Sequence, residues 1–381
     1  MTKFSIDFMG QRYVAAIFSG LLIIASIIGM VAKGLNQGLD FTGGTLVELK
    51  YEQTANLDQV RQVLQEEGIA NAVAVPYGSD REVMVRFQGS FTDVAIDKIK
   101  QALTANVGNN AWDVTVDRLG SDYQYQVTVN QGDLADKKEQ IVPSEIYGPV
   151  TARNQNDTTQ FLLRGDLDNA IANALVKNLS KAAGSKVEKV RSDFVGSQVG
   201  DDLFEDAVWG GLTSLAVVLL YVALRFQFKF AVGAVAALIH DVIITLGMFA
   251  IFQWDFDLTV FAAILAVIGY SLNDTIVVFD RVRENLRKIR NKEPKEIINI
   301  SINQMLIRTL ITSLTTLLVL FALFFVGGET IHNFSLALII GIVVGTYSSI
   351  YVAANITLAM KISKEDLMVP VKEGAEFDEV P

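Results

Sequence analysis

Residues 258–280 read LTVFAAILAVIGYSLNDTIVVFD, an apolar run interrupted by Asn273 and Asp274 before it ends at Asp280. An α-helix rises 1.5 Å per residue, so roughly 20 such residues cross a hydrocarbon core of about 30 Å. A carboxylate inside such a helix costs a few kcal/mol on insertion scales, so it needs a partner or a purpose. This stretch therefore sets the class of the molecule, a membrane protein, and marks where its chemistry is to be sought.

Runs of the same kind occupy 13–32, 207–225, 229–252, 306–326 and 333–360. With 258–280 they predict six transmembrane helices in a polytopic α-helical membrane protein. The first run follows Lys3 and Arg12 as a signal peptide would, but it is long and no Ala-x-Ala site follows it, so a retained helix is expected.

Polarity changes over residues 33–206. Counted from residue 34, this segment holds 16 Lys and Arg against 26 Asp and Glu, which accounts for the whole net charge of −10. Strand patterns occur at 45–51, 72–76, 82–87, 113–118, 123–129, 160–163 and 187–194, with helical patterns at 57–67, 92–103 and 167–183. Their alternation predicts an α+β, ferredoxin-like split βαβ domain between helices 1 and 2, enlarged by an insertion.

The short loops give the orientation. Arg225 and Lys229 separate the second and third runs, and a basic loop at 281–305 follows the fourth; residues 281–308 carry eight Lys and Arg against three Glu. The alternate connections hold only Asp255, Asp257 and Glu329. Positive charge stays on the cytoplasmic side, so residues 1–12 and 361–381 are expected in the cytoplasm and 33–206 on the outer side of the membrane. The basic loop reads as this orientation signal and as a surface facing membrane lipid.

Several chemistries are disfavoured. The chain has no Cys, and no Ser-His-Asp, zinc-ligand or calcium-loop spacing is present. Asp40-Phe41-Thr42-Gly43-Gly44 has the look of a phosphate loop, but no Gly-Lys-Ser or Gly-Lys-Thr follows and there is no dinucleotide fingerprint. No enzyme activity, cofactor, metal or nucleic-acid partner is expected.

What remains is the set of polar residues within the apolar runs. Asp241, after His240, lies mid-way along the third run; Asn273 and Asp274 lie late in the fourth; Arg308 opens the fifth. At helical spacing Tyr270, Asn273 and Asp274 share one face of the fourth helix, and Arg308, Thr312, Thr315 and Thr316 share one face of the fifth. These two faces are expected to meet in a polar seam, which Gly341, Gly345, Ser348 and Ser349 of the sixth would extend. Two readings stand. Asp274 or Asp241 is a titrating site on a proton path with Arg308 beside it, or the cluster is a static ion pair that fixes helix packing while Arg308 reaches to the lipid headgroups.

Gln37-Gly38-Leu39-Asp40-Phe41-Thr42-Gly43-Gly44-Thr45, directly after the first run, resembles the signature of the SecD and SecF export proteins. Phe194-Val195-Gly196-Ser197-Gln198-Val199-Gly200, the stretch Ile268 to Arg281, and Arg308-Thr309-Leu310-Ile311-Thr312-Ser313 resemble the SecF side of that family in order and context. The 170-odd residues between the first two runs exceed what is usual there, and against that family residues near 105–160 look inserted. The resemblance implies one half of an architecture of the resistance-nodulation-division kind and pairing with SecD. It implies use of the proton motive force to help unfolded preproteins across the inner membrane after the SecYEG channel and SecA, with YajC as a further associate. It carries a proton-coupling role onto Asp274 and Arg308, and a family motif onto Asp40, Phe41, Gly43 and Gly44; Asp241 rests on burial alone. Two alternatives stay open: a small-molecule or lipid exporter of the same superfamily, and a scaffold that transports nothing.

Overall fold

The computed structural model describes residues 6–69, 72–108, 113–119, 124–363 and 366. The chain divides into two compact units, residues 39–204 and residues 1–38 with 205–381.

In chain order the elements begin with α1 (Arg12–Lys33), β1 (Asn36–Gln37), the single turn α2 (Leu39–Thr42), β2 (Gly44–Tyr51), α3 (Leu57–Glu66), β3 (Val73–Tyr77), β4 (Ser79–Phe87) and α4 (Phe91–Val107). They continue with β5 (Val114–Leu119), β6 (Gln124–Val129), the short helices α5 (Lys138–Ile141) and α6 (Ser144–Tyr147), β7 (Val150–Gln155), β8 (Thr158–Arg164), α7 (Leu167–Ala183) and β9 (Val187–Val195). The remainder is α8 (Ser197–Arg225), α9 (Phe228–Phe252), β10 (Asp255–Phe256), α10 (Leu258–Lys288), α11 (Pro294–Val326) and α12 (Glu329–Ala359).

In the unit 39–204 one sheet has the order β3-β4-β2-β9, every neighbouring pair antiparallel. Taken as a βαββαβ chain, this is the ferredoxin-like strand order. The insertion is a second antiparallel sheet, β5-β6-β8-β7, placed between α4 and α7. Period-two burial drives both sheets: Val47, Leu49 and Tyr51 of β2, Val83, Val85 and Phe87 of β4, and Val127, Val129, Phe161 and Leu163 of β6 and β8 all enter one apolar core. Helix starts carry their own caps. Ser90 and Asp93 form a reciprocal capping box on α4, and Asn56 and Asp166 accept from first-turn N–H groups of α3 and α7. Strand β7 has no counterpart in the sequence reading because only Val150 is buried along it; an edge strand with one apolar anchor shows no alternation.

In the other unit, α1, α8, α9, α10, α11 and α12 are each long and apolar enough to cross a membrane, and the protein is a multi-pass membrane protein. Four helices run well past the apolar stretches that announced them. α8 begins at Ser197, inside the segment read as outer domain, and α12 begins at Glu329. The stretch read as a basic loop, 281–305, is mostly helix: α10 continues to Lys288 and α11 starts at Pro294. Hydropathy marks where lipid begins, whereas a helix continues wherever its backbone and side chains allow; Glu284 pairs with Arg281 and Lys288 at helical spacing, and Pro294 takes the first helical position. The tail expected over 361–381 lies outside the described residues beyond Ser363, apart from Asp366.

Candidate intramembrane site

Helices α9, α10 and α12 pack closely because the contacting positions are small. A Cβ added at Gly345 would lie 3.1 Å from Ser271 Cβ and 3.5 Å from Asp241 Oδ2, and one added at Gly233 would meet the Ala353 carbonyl at 2.9 Å. Close approach of this kind is what lets short hydroxyl side chains reach across from one helix to the next.

Asp241 lies in this contact, 1% exposed. Its Oδ2 accepts from Ser271 Oγ of α10 at 2.5 Å and from Ser348 Oγ of α12 at 2.7 Å. Its Oδ1 lies 2.8 Å from His240 Nδ1, so a neutral imidazole in that pairing donates through Nδ1. Thr245 caps the same turn by donating to the Asp241 carbonyl. Both carboxylate oxygens of Asp241 are therefore occupied. The imidazole stacks on Tyr347, whose hydroxyl donates to the Ala15 carbonyl and bonds Ser19, tying α1 to α12.

Asp274 sits one helical turn after Ser271, on the buried stripe Ser271, Asp274, Thr275 and Val278. It is 3% exposed, yet its Oδ2 has no hydrogen-bond partner among the described residues, and the same holds for Tyr270 Oη and Thr275 Oγ1. Arg308 interacts with Asp274 electrostatically but makes no ion pair within 4.0 Å among the described residues. The two intramembrane carboxylates thus differ in kind: one is held by three donors, the other is buried and largely unmet.

The expected seam between the α10 and α11 faces does not form along the predicted residues. Arg308, Thr312 and Thr315 point outward, Thr316 is half-buried, and Asn273 is exposed on α10. The threonine hydroxyls return to their own helix, donating to carbonyls three or four residues back. It is the neighbouring positions that face inward: Thr309 and Ser313 are buried, and Ser313 bonds Thr346 of α12. Periodicity gives the spacing along each helix, but the residues read as one face of α10 part company, Asn273 exposed and Asp274 buried, because which positions meet a neighbour depends on helix arrangement. Ser271 escaped notice because a serine in a membrane helix carries no signal of its own until its partner is known.

The motif residues 40–44 serve the entry into β2. Gly43 and Gly44 have φ of 65° and 118°, and a Cβ at Gly44 would collide with the Phe87 carbonyl. Phe41 is buried and meets Phe204 edge-on at 5.6 Å, Asp40 is half-buried, and a Cβ at Gly200 would lie 3.0 Å from the Gly43 nitrogen. The glycine pair is a tight seam between the two ends of this unit.

Comparison with known proteins agrees with that pattern. Residues 28–55 match the family described as the SecD/SecF GG motif, and residues 175–363 match protein export membrane protein SecD/SecF, C-terminal. A protein translocase subunit SecF of Vibrio alginolyticus is 43% identical over 379 residues, covering 99% of this chain and 97% of that one. The chain belongs to the SecF family. SecF of Pseudomonas aeruginosa is 38% identical over 366 residues, covering 96% and 95% of the two chains. The crystal structure of SecDF from Thermus thermophilus, a translocon-associated membrane protein, superposes with a TM-score of 0.65 at 32% identity, over 94% of this chain. This SecF-family chain spans only 39% of that longer one.

Proposed function

We propose that this chain works as the SecF-type subunit of the Sec translocase, an accessory rather than an enzyme, paired with SecD. In this reading Asp274 gains and loses a proton as the proton motive force acts, and Arg308 and Asn273 flank it. The observation that carries the reading is the buried Asp274 carboxylate with an unpartnered oxygen. A group in that condition changes its interactions when a proton arrives, and one charge crossing 100 mV releases about 2.3 kcal/mol to drive the change. Asp241, with both oxygens occupied, holds α9, α10 and α12 in register. The wider reading follows the loop charges: both termini in the cytoplasm, residues 39–204 in the periplasm. There the unit 39–204 meets the unfolded preprotein delivered by SecYEG, with YajC nearby.

The test is Asp274→Asn, expressed with SecD in a strain lacking its own SecF. The variant is expected to assemble with SecD at ordinary yield while proton-dependent export of a reporter preprotein falls to the level of the deletion strain. Full export by the variant would support a scaffold in place of a proton-coupled subunit.

A further inference from the structure

At the end of the spans where basic residues gather, Arg225 closes α8 and the last turns of α10 supply Asp280, Arg283, Glu284, Arg287 and Lys288; together they line a cleft of about 430 Å³. Four cations face two carboxylates, and the carboxylates are already engaged. Asp280 accepts from Arg225 at 2.8 Å and Arg283 at 3.4 Å, while Glu284 bridges Arg281 and Lys288 at 2.8 and 2.6 Å. The Phe226 ring further fixes two guanidiniums, with Arg225 Cζ 5.4 Å and Arg283 Cζ 5.8 Å from its centre. Donors remain unmet. Arg287, exposed at the cleft, makes no ion pair or hydrogen bond among the described residues, whereas Arg283 Nε, also without a partner there, is buried behind it.

A cleft with two surplus positive charges and unmet guanidinium donors suits a phosphate, which takes such donors in pairs. What adjoins it narrows the choice. The outer face of α8 leading to Arg225 is bare apolar surface, with Val217, Leu220 and Leu224 exposed, and Phe228 stands exposed just beyond. A free phosphate or an acidic peptide would use the cations alone, whereas a diacyl phospholipid uses both surfaces at once. We infer that this cleft is a binding site for the phosphate headgroup of an anionic phospholipid, whose chains lie along α8.

The full-length chain in non-ionic detergent, titrated with phosphatidylglycerol, phosphatidylethanolamine or inorganic phosphate and followed by native mass spectrometry, tests this. Phosphatidylglycerol is expected to remain bound where phosphatidylethanolamine does not. Arg287→Gln removes a side chain that bonds nothing among the described residues and is expected to weaken retention about fivefold, and Arg283→Gln with Arg287→Gln about thirtyfold. Lys292→Gln with Lys295→Gln, an equal charge change outside the cleft, is expected to leave retention unchanged. Equal loss in that control, equal retention of both lipids, displacement of phosphatidylglycerol by inorganic phosphate, or its displacement by an added partner chain would each overturn the assignment.

Discussion

Two aspartates in one bundle, both almost completely buried, have opposite relations to their surroundings. Removing the Asp241 side chain strands the buried Ser271 hydroxyl and His240 ring, while Ser348 keeps the Gly345 carbonyl as acceptor, and each buried group left unmet costs about 1–3 kcal/mol. Asp241→Ala is therefore expected to destabilise the detergent-solubilised chain by roughly 2–4 kcal/mol. Asp274→Asn gives up no hydrogen bond recorded among the described residues, so its unfolding midpoint is expected to stay within about 0.5 kcal/mol of the parent. Unfolding curves of the two variants under identical detergent conditions check both, and an equal loss from each would make Asp274 a structural residue. The sequence named both carboxylates, since a charge in an apolar run announces itself. It could not rank them, because the difference lies in Ser271 and Ser348, which come from two other helices.

The elements show where close packing and ionisation each constrain the chain. α10 and α12 approach through Gly345, and a methyl group there would press on Ser271 Cβ at 3.1 Å while only touching Asp241 Oδ2. Gly345→Ala is expected to cost about 1–3 kcal/mol by forcing the helices apart, and Ser271→Ala made with it is expected to recover part of that by freeing space. In the sheeted unit, Lys177 holds Glu145 and Lys186 holds Glu188 below the usual carboxylate range through hydrogen bonds, as the Ser144 side chain does for Glu139. A lowered folded value means the stabilisation is present above the ordinary value of 4.5 and is lost as pH falls through the lower one. Burial pushes Tyr51 and Tyr147 up to about 12, so the stability tied to their neutral forms is complete below 10 and is lost as pH rises toward 12. Tyrosinate absorbance and circular dichroism of the full chain are expected to show both limbs, and Tyr51→Phe to move only the alkaline one upward. Seven of the strands and the three long helices of this unit were visible as period-two and period-3.6 patterns. β7, the two-residue pair β1 and β10, and the short helices α2, α5 and α6 offer too few buried positions to make a period.

At the scale of the whole molecule, the six helices do not share burial equally. α9 and α10 bury half of their most apolar window, whereas α8 buries 6% and α11 17%. Lipid tails account for exposed leucines and for Thr312 and Thr315, whose hydroxyls return to their own helix, but not for Arg308 on the outer face of α11, nor for Asn273 exposed on α10. A guanidinium and an amide facing hydrocarbon are costly, so another helix or a water-lined seam has to cover them. The SecDF relative, of which this chain spans 39%, has the additional length that such a covering needs. Because the chain contains no Cys, single substitutions label without background. Asn273→Cys and Thr315→Cys are expected to react readily with a membrane-permeant maleimide when the chain is alone, and to slow at least about tenfold once SecD is bound. Leu220→Cys, on the bare apolar face of α8 that the lipid assignment gives to acyl chains, is expected to keep its rate in both conditions. Protection of α8 with continued reactivity at positions 273 and 315 would put the partner on the opposite face and leave the exposed side of Asn273 and Thr315 to lipid, removing a partner-covered seam as the route by which a proton reaches the buried Asp274.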